Sequence, residues 1–169
     1  MDGGTVRPNA FRVAQDTAPL WPAERLLIWS FRRWAVGFRE NCVHQWALVW
    51  REFRQAFGGD EAWPALAAFA ALFKELMIHG RRTVHAHQPC CPCLGGDEAW
   101  LLSFVGACQN GDWPGARALA EAMVEVDGVG DLLHAGSSLA ARLRGRSLMV
   151  RGDAFEGHDW AAEIVGTIH

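Results

Sequence analysis

Thiol and imidazole side chains are concentrated in one short segment of this chain. His85 and His87 are followed by Cys90, Cys91 and Cys93, so that two imidazoles and three thiols fall within nine residues. Prolines beside and between the cysteines do not fit a regular helix, and the segment is therefore predicted to be a loop whose side chains can converge. Such side chains bind transition metals, and thiols also carry out redox chemistry.

The first interpretation of this segment is a metal site, with Zn²⁺ as the leading candidate. Zinc prefers tetrahedral sets of four nitrogen and sulfur ligands, and the two-residue gap between Cys90 and Cys93 is typical of a zinc knuckle. His85 or His87 would complete the set, with Cys91 as a further thiolate. Cys42 or Cys108 from neighbouring helices could contribute instead of Cys91, but both lie on apolar helical faces and are expected in the core. An iron–sulfur cluster or Cu(I) would use the same thiolates. The predicted metal ligands are therefore the five residues of the segment, and the identity of the metal stays open.

Three other interpretations of the cysteines also stay open. Cys90 and Cys93 form a Cys-x-Pro-Cys sequence similar to thioredoxin-type motifs, which indicates a thiol–disulfide redox protein as the alternative function. Cys91 followed by Pro92 resembles a haem-binding Cys-Pro dipeptide. The third interpretation is structural: the cysteines are small buried residues and the histidines are hydrogen-bonded.

Composition excludes several classes of protein. The chain has 169 residues, half of them apolar and 21% charged, which is enough for a buried core and excludes global disorder. A net charge of −3 argues against a nucleic-acid partner. Uncharged stretches such as 62–73 are too short for a membrane span, and the N-terminal residues lack the apolar segment of a secretory signal. Because the cysteines cluster instead of forming a disulfide framework, we expect a cytoplasmic protein.

Apolar residues spaced three and four apart predict helices along most of the chain, and no segment alternates long enough to indicate a strand. The expected fold is an all-α bundle of five or six helices with the Cys/His-rich loop between two of them. Residues 1–20 are expected to form a flexible tail, 21–146 the helical domain, and 147–169 a C-terminal tail with a short helix. The predicted helices span 22–57 (one helix, or two with a break near Asn41), 60–79, 97–109, 113–126, 131–144 and 158–166.

The sequence Gly-Gly-Asp-Glu-Ala-Trp occurs twice, at 58–63 and 95–100. Each copy stands where the periodicity places the start of a helix. Aspartate accepts the free amides of a first helical turn, and glycine suits the turn before it. We therefore predict the same capping arrangement in both copies, with further aspartate caps at Asp112 and Asp131.

Tryptophan and arginine residues alternate along the first helical stretch. The simplest interpretation is an amphipathic helix with its arginines on the solvent face. The alternative is a docking surface, which would make the protein an accessory subunit of a larger complex or give it a peripheral membrane contact. The residues concerned are Trp29, Trp34, Trp46 and Trp50 with Arg32, Arg33, Arg39, Arg51 and Arg54.

Several motifs in their order resemble a family of small, mostly alphaproteobacterial helical proteins of unknown function. An Arg-rich helix is followed by Phe-Arg-Gln-Ala-Phe-Gly (53–58) and Leu-Phe-Lys-Glu-Leu-Met (72–77), then by Pro-Cys-Cys (89–91) and Asp-Glu-Ala-Trp-Leu-Leu (97–102). The resemblance covers roughly 25–145 and implies a helical fold, a bacterial origin and a cysteine cluster shared by the family, but no activity. Pro92, before the third thiol, departs from the family pattern.

Taken together, these patterns predict a non-enzymatic, metal-binding helical protein that works through a protein partner or as a homo-oligomer. No serine–histidine–aspartate order, phosphate-binding loop or pair of carboxylates indicates a catalytic centre. The site prediction therefore consists of metal ligands alone, without catalytic residues.

Overall fold

The computed structural model describes residues 19–151, and this part of the chain confirms the all-α prediction. The only β-type pairing within it is a single bridge between Gly80 and Val124. The Cys/His-rich segment is a loop between the third and fourth helices, as expected. The six helices are α1 (Pro22–Glu40), α2 (Val43–Phe57), α3 (Gly59–His79), α4 (Gly96–Asn110), α5 (Trp113–Met123) and α6 (Val126–Gly145).

The long apolar stripe over 22–57 forms two helices that fold back on each other. Asn41 ends α1 in the left-handed conformation, with φ 50° and ψ 44°. Asparagine tolerates this conformation better than most residues because its short polar side chain bonds locally. The break therefore falls where the sequence placed it. The turn from α2 into α3 passes through Gly58, whose φ is 77°.

The helices pack so that α4 is enclosed. α3 and α6 form the most extensive contact, α2 packs against α3 and α1 against α2, and α4 packs against α6, α5 and α1. α4 is buried from Asp97 to Gln109 because its residues are apolar on nearly all sides. Its first turn, which carries two acidic residues, therefore lies inside the protein and directly follows the Cys/His-rich loop.

The predicted boundary between α5 and α6 is wrong. α5 ends at Met123, and Val124 is extended and bridges to Gly80 at the end of α3. The amide of Glu125 donates to the carbonyl of His79 at 2.8 Å, so the connection is fixed by backbone bonds to α3. α6 consequently begins at Val126, and Asp131 lies inside it instead of capping it.

The residues that follow α6 pack onto the bundle up to the end of the described range. Gln109 of α4 is buried and bonds both the carbonyl of Leu148 and the amide of Val150, each at 2.9 Å. The first part of the predicted C-terminal tail thus contacts the helices. The predicted helix at 158–166 and most of the predicted N-terminal tail lie outside the described residues.

Candidate metal centre

A tight turn presents the cysteines of the loop. The amide of Cys91 donates to the carbonyl of Gln88 at 3.0 Å, which makes Pro89 and Cys90 the two central residues of the turn. Proline suits the first central position because its φ is already set. Cys90 is consequently at the tip of the turn, where its side chain is exposed. The residue before a proline favours an extended backbone. Cys91 precedes Pro92 and therefore has this preference.

Three of the five predicted ligands converge. The Nδ1 atom of His87 lies 3.1 Å from the sulfur of Cys93 and 3.6 Å from the sulfur of Cys91. The donor atoms of all three residues lie within 4.8 Å of one another, and this group could hold a metal ion. Cys91 and Cys93 are joined as a disulfide, with their Cα atoms 5.5 Å apart. The same two sulfurs are therefore available either to each other or, when reduced, to a metal.

The other two predicted ligands lie outside this group. Cys90 is a free, exposed thiol, and the pairing predicted for the redox alternative, Cys90 with Cys93, is replaced by Cys91 with Cys93. Residues two apart in an extended segment point to the same side, whereas Cys90 occupies the tip of the turn. His85 is exposed and contributes its backbone amide, not its ring, to the packing of the loop.

A buried ion pair holds the cysteine turn against the bundle. Arg32 of α1 and Glu98 of α4 are joined by two hydrogen bonds of 2.7 and 2.8 Å, and neither side chain has appreciable exposure. The remaining donors of the same guanidinium reach loop carbonyls: those of Cys91 and Cys93 at 2.5 Å each, and that of Gln88 at 3.4 Å. One arginine therefore fixes both residues whose sulfurs meet His87.

Glu98 also accepts hydrogen bonds from two backbone amides. Its carboxylate accepts the N–H of Gly95 at 2.8 Å and that of His87 at 3.0 Å. Burial acts to raise the pKa of Glu98, but the bonds from Arg32 and from these amides outweigh burial, and the pKa lies below its usual 4.5. The carboxylate is therefore ionised at neutral pH, and it orients the backbone on both sides of the cysteine turn.

A second ion pair fixes the start of the loop. Arg82 donates to both carboxylate oxygens of Asp97, at 2.9 and 2.5 Å, and the same carboxylate accepts the amide of His85 at 2.7 Å. Asp97 thus binds the loop instead of capping α4 as predicted, because its helix start is buried beneath that loop. Asp112 is a true cap, since it accepts the amide of Gly115 at 3.1 Å.

Gly95 leaves room for the imidazole of His87. A Cβ atom at this position would lie 3.2 Å from Nε2 of His87, which is tighter than an ordinary contact. The φ of Gly95 is −86°, a value that any residue adopts, so close approach and not backbone conformation requires glycine here. The ring is therefore held between this backbone on one side and the sulfurs on the other.

The residues that position the loop are not among the predicted site residues. Arg32, expected on the solvent face, is buried, as are Glu98 and Asp97. A signal was present for Arg32, since it lies four residues from both Ile28 and Val36 on the buried stripe of α1. The two acidic residues carried no such signal, because the first turn of a helix commonly has acidic residues for its dipole alone.

The other two cysteines take no part in the site. Cys108 is buried in α4, and burial raises the pKa of its thiol to about 11, so it stays protonated at neutral pH. Cys42 is half-buried at the start of α2. Cys108 is therefore a core residue, whereas Cys42 belongs to the break between α1 and α2.

The tryptophans of α1 and α2 form a partly buried aromatic layer. Trp34 lies 6.0 Å from Trp46 and 5.7 Å from Phe69, measured between ring centroids. The guanidinium of Arg33 covers the ring of Trp29 at 4.6 Å, which is a cation–π contact. No helix among residues 19–151 combines the length and hydropathy needed to cross a membrane.

No protein-family model matches the chain, and neither a curated protein nor a solved structure matches it. The chemistry of the His87, Cys91 and Cys93 group therefore carries the functional argument.

Proposed function

We propose that this protein binds a transition metal, with zinc as the preferred ion, and that the metal stabilises a loop through which the protein contacts a partner. The observation that carries the proposal is the convergence of one imidazole nitrogen and two sulfurs from His87, Cys91 and Cys93. Nitrogen and thiolate donors of this kind are the set that zinc prefers in structural sites. Metal binding to such a set stabilises the fold of the segment that supplies it.

The spacing of the donors meets part of what this ion requires. Zn–S and Zn–N bonds of about 2.3 and 2.0 Å in a tetrahedron place a nitrogen and a sulfur about 3.5 Å apart. Nδ1 of His87 lies 3.6 Å from the sulfur of Cys91, close to that value, and 3.1 Å from the sulfur of Cys93, which is shorter. Two sulfurs on one zinc lie about 3.8 Å apart, so metal binding requires Cys91 and Cys93 to be reduced. Reduction frees both side chains to rotate around a shared ion.

Three donors leave one position of a tetrahedral shell for a further ligand. Cys90 and His85, the two remaining predicted ligands, are the nearest candidates along the chain, and both are exposed. A donor supplied by a partner protein would complete the shell equally well, which would couple metal binding to the interaction.

The test is the metal content of protein purified under reducing conditions without added metal. We expect about one equivalent of zinc per chain. Separate His87→Ala, Cys91→Ser and Cys93→Ser variants should lose it, while Cys42→Ser, a thiol outside the site, should retain it. Less than about a tenth of an equivalent in the wild-type protein, with every exposed thiol free to react, would overturn the proposal.

The Cys91–Cys93 disulfide favours a second candidate, a thiol–disulfide redox protein. Reduction of this bond by a dithiol adds two electrons and two protons, breaks the Sγ–Sγ bond and leaves two thiols on the protein and a disulfide on the reductant. Metal binding and disulfide formation compete for the same sulfurs. The redox candidate therefore uses the oxidised form of the proposed metal site.

Mass spectrometry after oxidation and reduction separates the two candidates. A redox protein should lose two hydrogen atoms (two protons and two electrons) on oxidation, regain them from a dithiol and accelerate disulfide exchange in a substrate. Cys90→Ser should leave this behaviour unchanged, whereas Cys91→Ser should abolish it. Reversible oxidation without acceleration of disulfide exchange would count against the redox function and leave the metal site as the use of these thiols.

A further inference from the structure

A groove lies beside the candidate metal centre, between α1, α3 and the segment that follows α3. Its volume is about 770 Å³, within the range of ligand-binding clefts. Phe38 and Met77 stand at its rim, and each is largely exposed, with 45% and 58% of its surface accessible. Apolar side chains form most of its lining: Phe38, Phe73, Leu76, Met77, Val84 and Ala86.

One wall of the groove has the alternation of an extended strand. Within 82–86, Arg82, Val84 and Ala86 are half-buried, and the two residues between them are exposed. The backbone amides alternate as well: those of His85 and His87 donate to the carboxylates at the start of α4. The amides of Val84 and Ala86 have no hydrogen-bond partner within residues 19–151. In a strand, successive residues direct their backbone groups to opposite edges.

Within residues 19–151, this segment therefore has one occupied edge and one edge without partners, the vacant edge. Asp97 and Glu98 occupy the first edge, where they bind the amides of His85 and His87. The vacant edge carries the amides of Val84 and Ala86, two residues that line the groove. An extended peptide that bonds to such an edge gains affinity from its main chain and specificity from pockets for its alternate side chains.

The charged side chains of the described lining are of one sign. Arg39 and Arg82 belong to the lining, and no carboxylate of residues 19–151 does. The side chain of Arg39 is 54% exposed, so its guanidinium can meet a ligand at the rim. Arg82 is paired with Asp97 at 2.5 Å, whereas Arg39 has only a long, exposed pair of 3.8 Å with its neighbour Glu40 among the described residues, and such surface pairs contribute little. This charge complements an acidic ligand.

We propose that the groove binds an acidic peptide of a partner protein in extended conformation. The peptide adds to the vacant edge at Val84 and Ala86, places an apolar side chain between Phe73 and Met77, and directs a carboxylate to Arg39. This interaction involves the side of 82–86 that faces away from α4. It requires no metal.

The probe is an N-acetylated, C-amidated peptide of alternating glutamate and valine. Hydrogen exchange measured by NMR should show amide protection of at least about tenfold at Val84 and Ala86 on binding. The amides of His85 and His87 should change little, because they are bonded before the peptide arrives. A peptide with the same sequence but N-methylated at alternate residues should not bind. Equal binding of the N-methylated peptide would overturn the main-chain part of the proposal.

Two neighbouring residues of α3 supply a matched pair of variants. Met77 and Ile78 are both exposed, at 58% and 60%, but only Met77 lines the groove. Met77→Glu should weaken peptide binding by about tenfold or more, because it places a carboxylate in the apolar wall facing an acidic peptide. Ile78→Glu should bind like the wild type. Equal weakening by both variants would show that the groove is not the site.

Three further measurements decide the chemistry of the ligand. Arg39→Gln should weaken binding of the acidic peptide several-fold, and a peptide of alternating lysine and valine should bind less well than the acidic one. Tighter binding of the lysine peptide would overturn the charge argument. Decanoate tests a small acyl carboxylate as the occupant. If decanoate binds and no peptide produces protection at Val84 and Ala86, the groove is a small-molecule site and the peptide proposal is wrong.

Discussion

The two copies of Gly-Gly-Asp-Glu-Ala-Trp occupy the same positions of their helices but have opposite surroundings. In 58–63, which begins α3, Glu61 and Trp63 are exposed, and Glu61 forms a surface ion pair with Arg142 at 2.9 Å. In 95–100, which begins α4, Glu98 and Trp100 are fully buried. In each copy the first glycine precedes the helix and the glutamate is its third residue.

The difference arises from what lies against each helix start. The amide of Gly58 closes the end of α2 by donating to Arg54, so its helix follows directly from another at the surface. The amide of Gly95 donates to Glu98, and the Cys/His-rich loop covers that turn. The same six residues therefore begin a helix in both places, but only the covered copy is used to position a site. Paired substitutions in the two copies test this comparison.

The largest difference in stability between the two copies should come from substitution of their tryptophans, Trp100 and Trp63. Trp100 stacks on Phe104 and donates its indole N–H to the carbonyl of Leu119 at 2.9 Å. Trp100→Ala should lower the free energy of unfolding by about 3–5 kcal/mol, because it removes a large buried side chain. Trp63→Ala should change it by about 0.5 kcal/mol or less. Denaturant titration measures both, and losses of similar size would contradict the assignment of buried and exposed copies.

Substitutions of the two glutamates, Glu98 and Glu61, should also lower the free energy of unfolding by different amounts, but the difference should be smaller than for the tryptophans. Glu98→Gln leaves the buried guanidinium of Arg32 without its counter-charge and should cost about 3 kcal/mol, near the lower end for a broken buried pair. Glu61→Gln removes a surface pair and should cost no more than about 1 kcal/mol. Glu98→Gln should also weaken zinc binding, since Arg32 holds the carbonyls of Cys91 and Cys93. Unchanged zinc affinity would show that the ion pair serves stability alone.

Acidification should weaken the fold through the carboxylates whose pKa values are lowered. The folded pKa of Glu98 lies below its usual 4.5, so its contribution is complete above that pH and is lost as the pH falls through the folded value. The pKa of Glu24 is also lowered: its bonds to Arg151 and to backbone amides outweigh burial. Each of the two carboxylates can change the free energy of unfolding by up to about 1.4 kcal/mol per pH unit. Glu98→Gln and Glu24→Gln should each flatten the acid dependence of stability, and an unchanged slope in both would contradict the shifts.

The first glycine of each copy, Gly58 or Gly95, should show the smallest effects. Substitution of Gly95 should change zinc affinity, and substitution of Gly58 should change stability. Gly95→Ala places a methyl group against His87 and should weaken zinc binding several-fold, with little change in stability. Gly58→Ala meets no neighbouring atom but has a φ of 77°, so it should cost about 1 kcal/mol of stability and leave zinc affinity unchanged. Competition with a chelator measures the affinity. Equal affinities of the two variants would remove the proposed role of Gly95.

The sequence predicted much of the local structure and part of the site. The break at Asn41 and the loop between α3 and α4 follow from periodicity and from the residues that interrupt it. The boundary at Val124 did not, because backbone bonds to the end of α3 decide it. Of the predicted ligands, His87, Cys91 and Cys93 come together, whereas the turn at Pro89 directs Cys90 to solvent.

By itself, the sequence determined where the helices other than α6 begin and which short segment holds the donors, since capping, proline and apolar spacing act over a few residues. Only the tertiary structure decided which copy of a repeated sequence is buried and which arginine turns inward. The physical reason is that a buried charge such as Arg32 is tolerated only where a distant partner meets it, 66 residues along the chain in the case of Glu98. No local pattern carries that information.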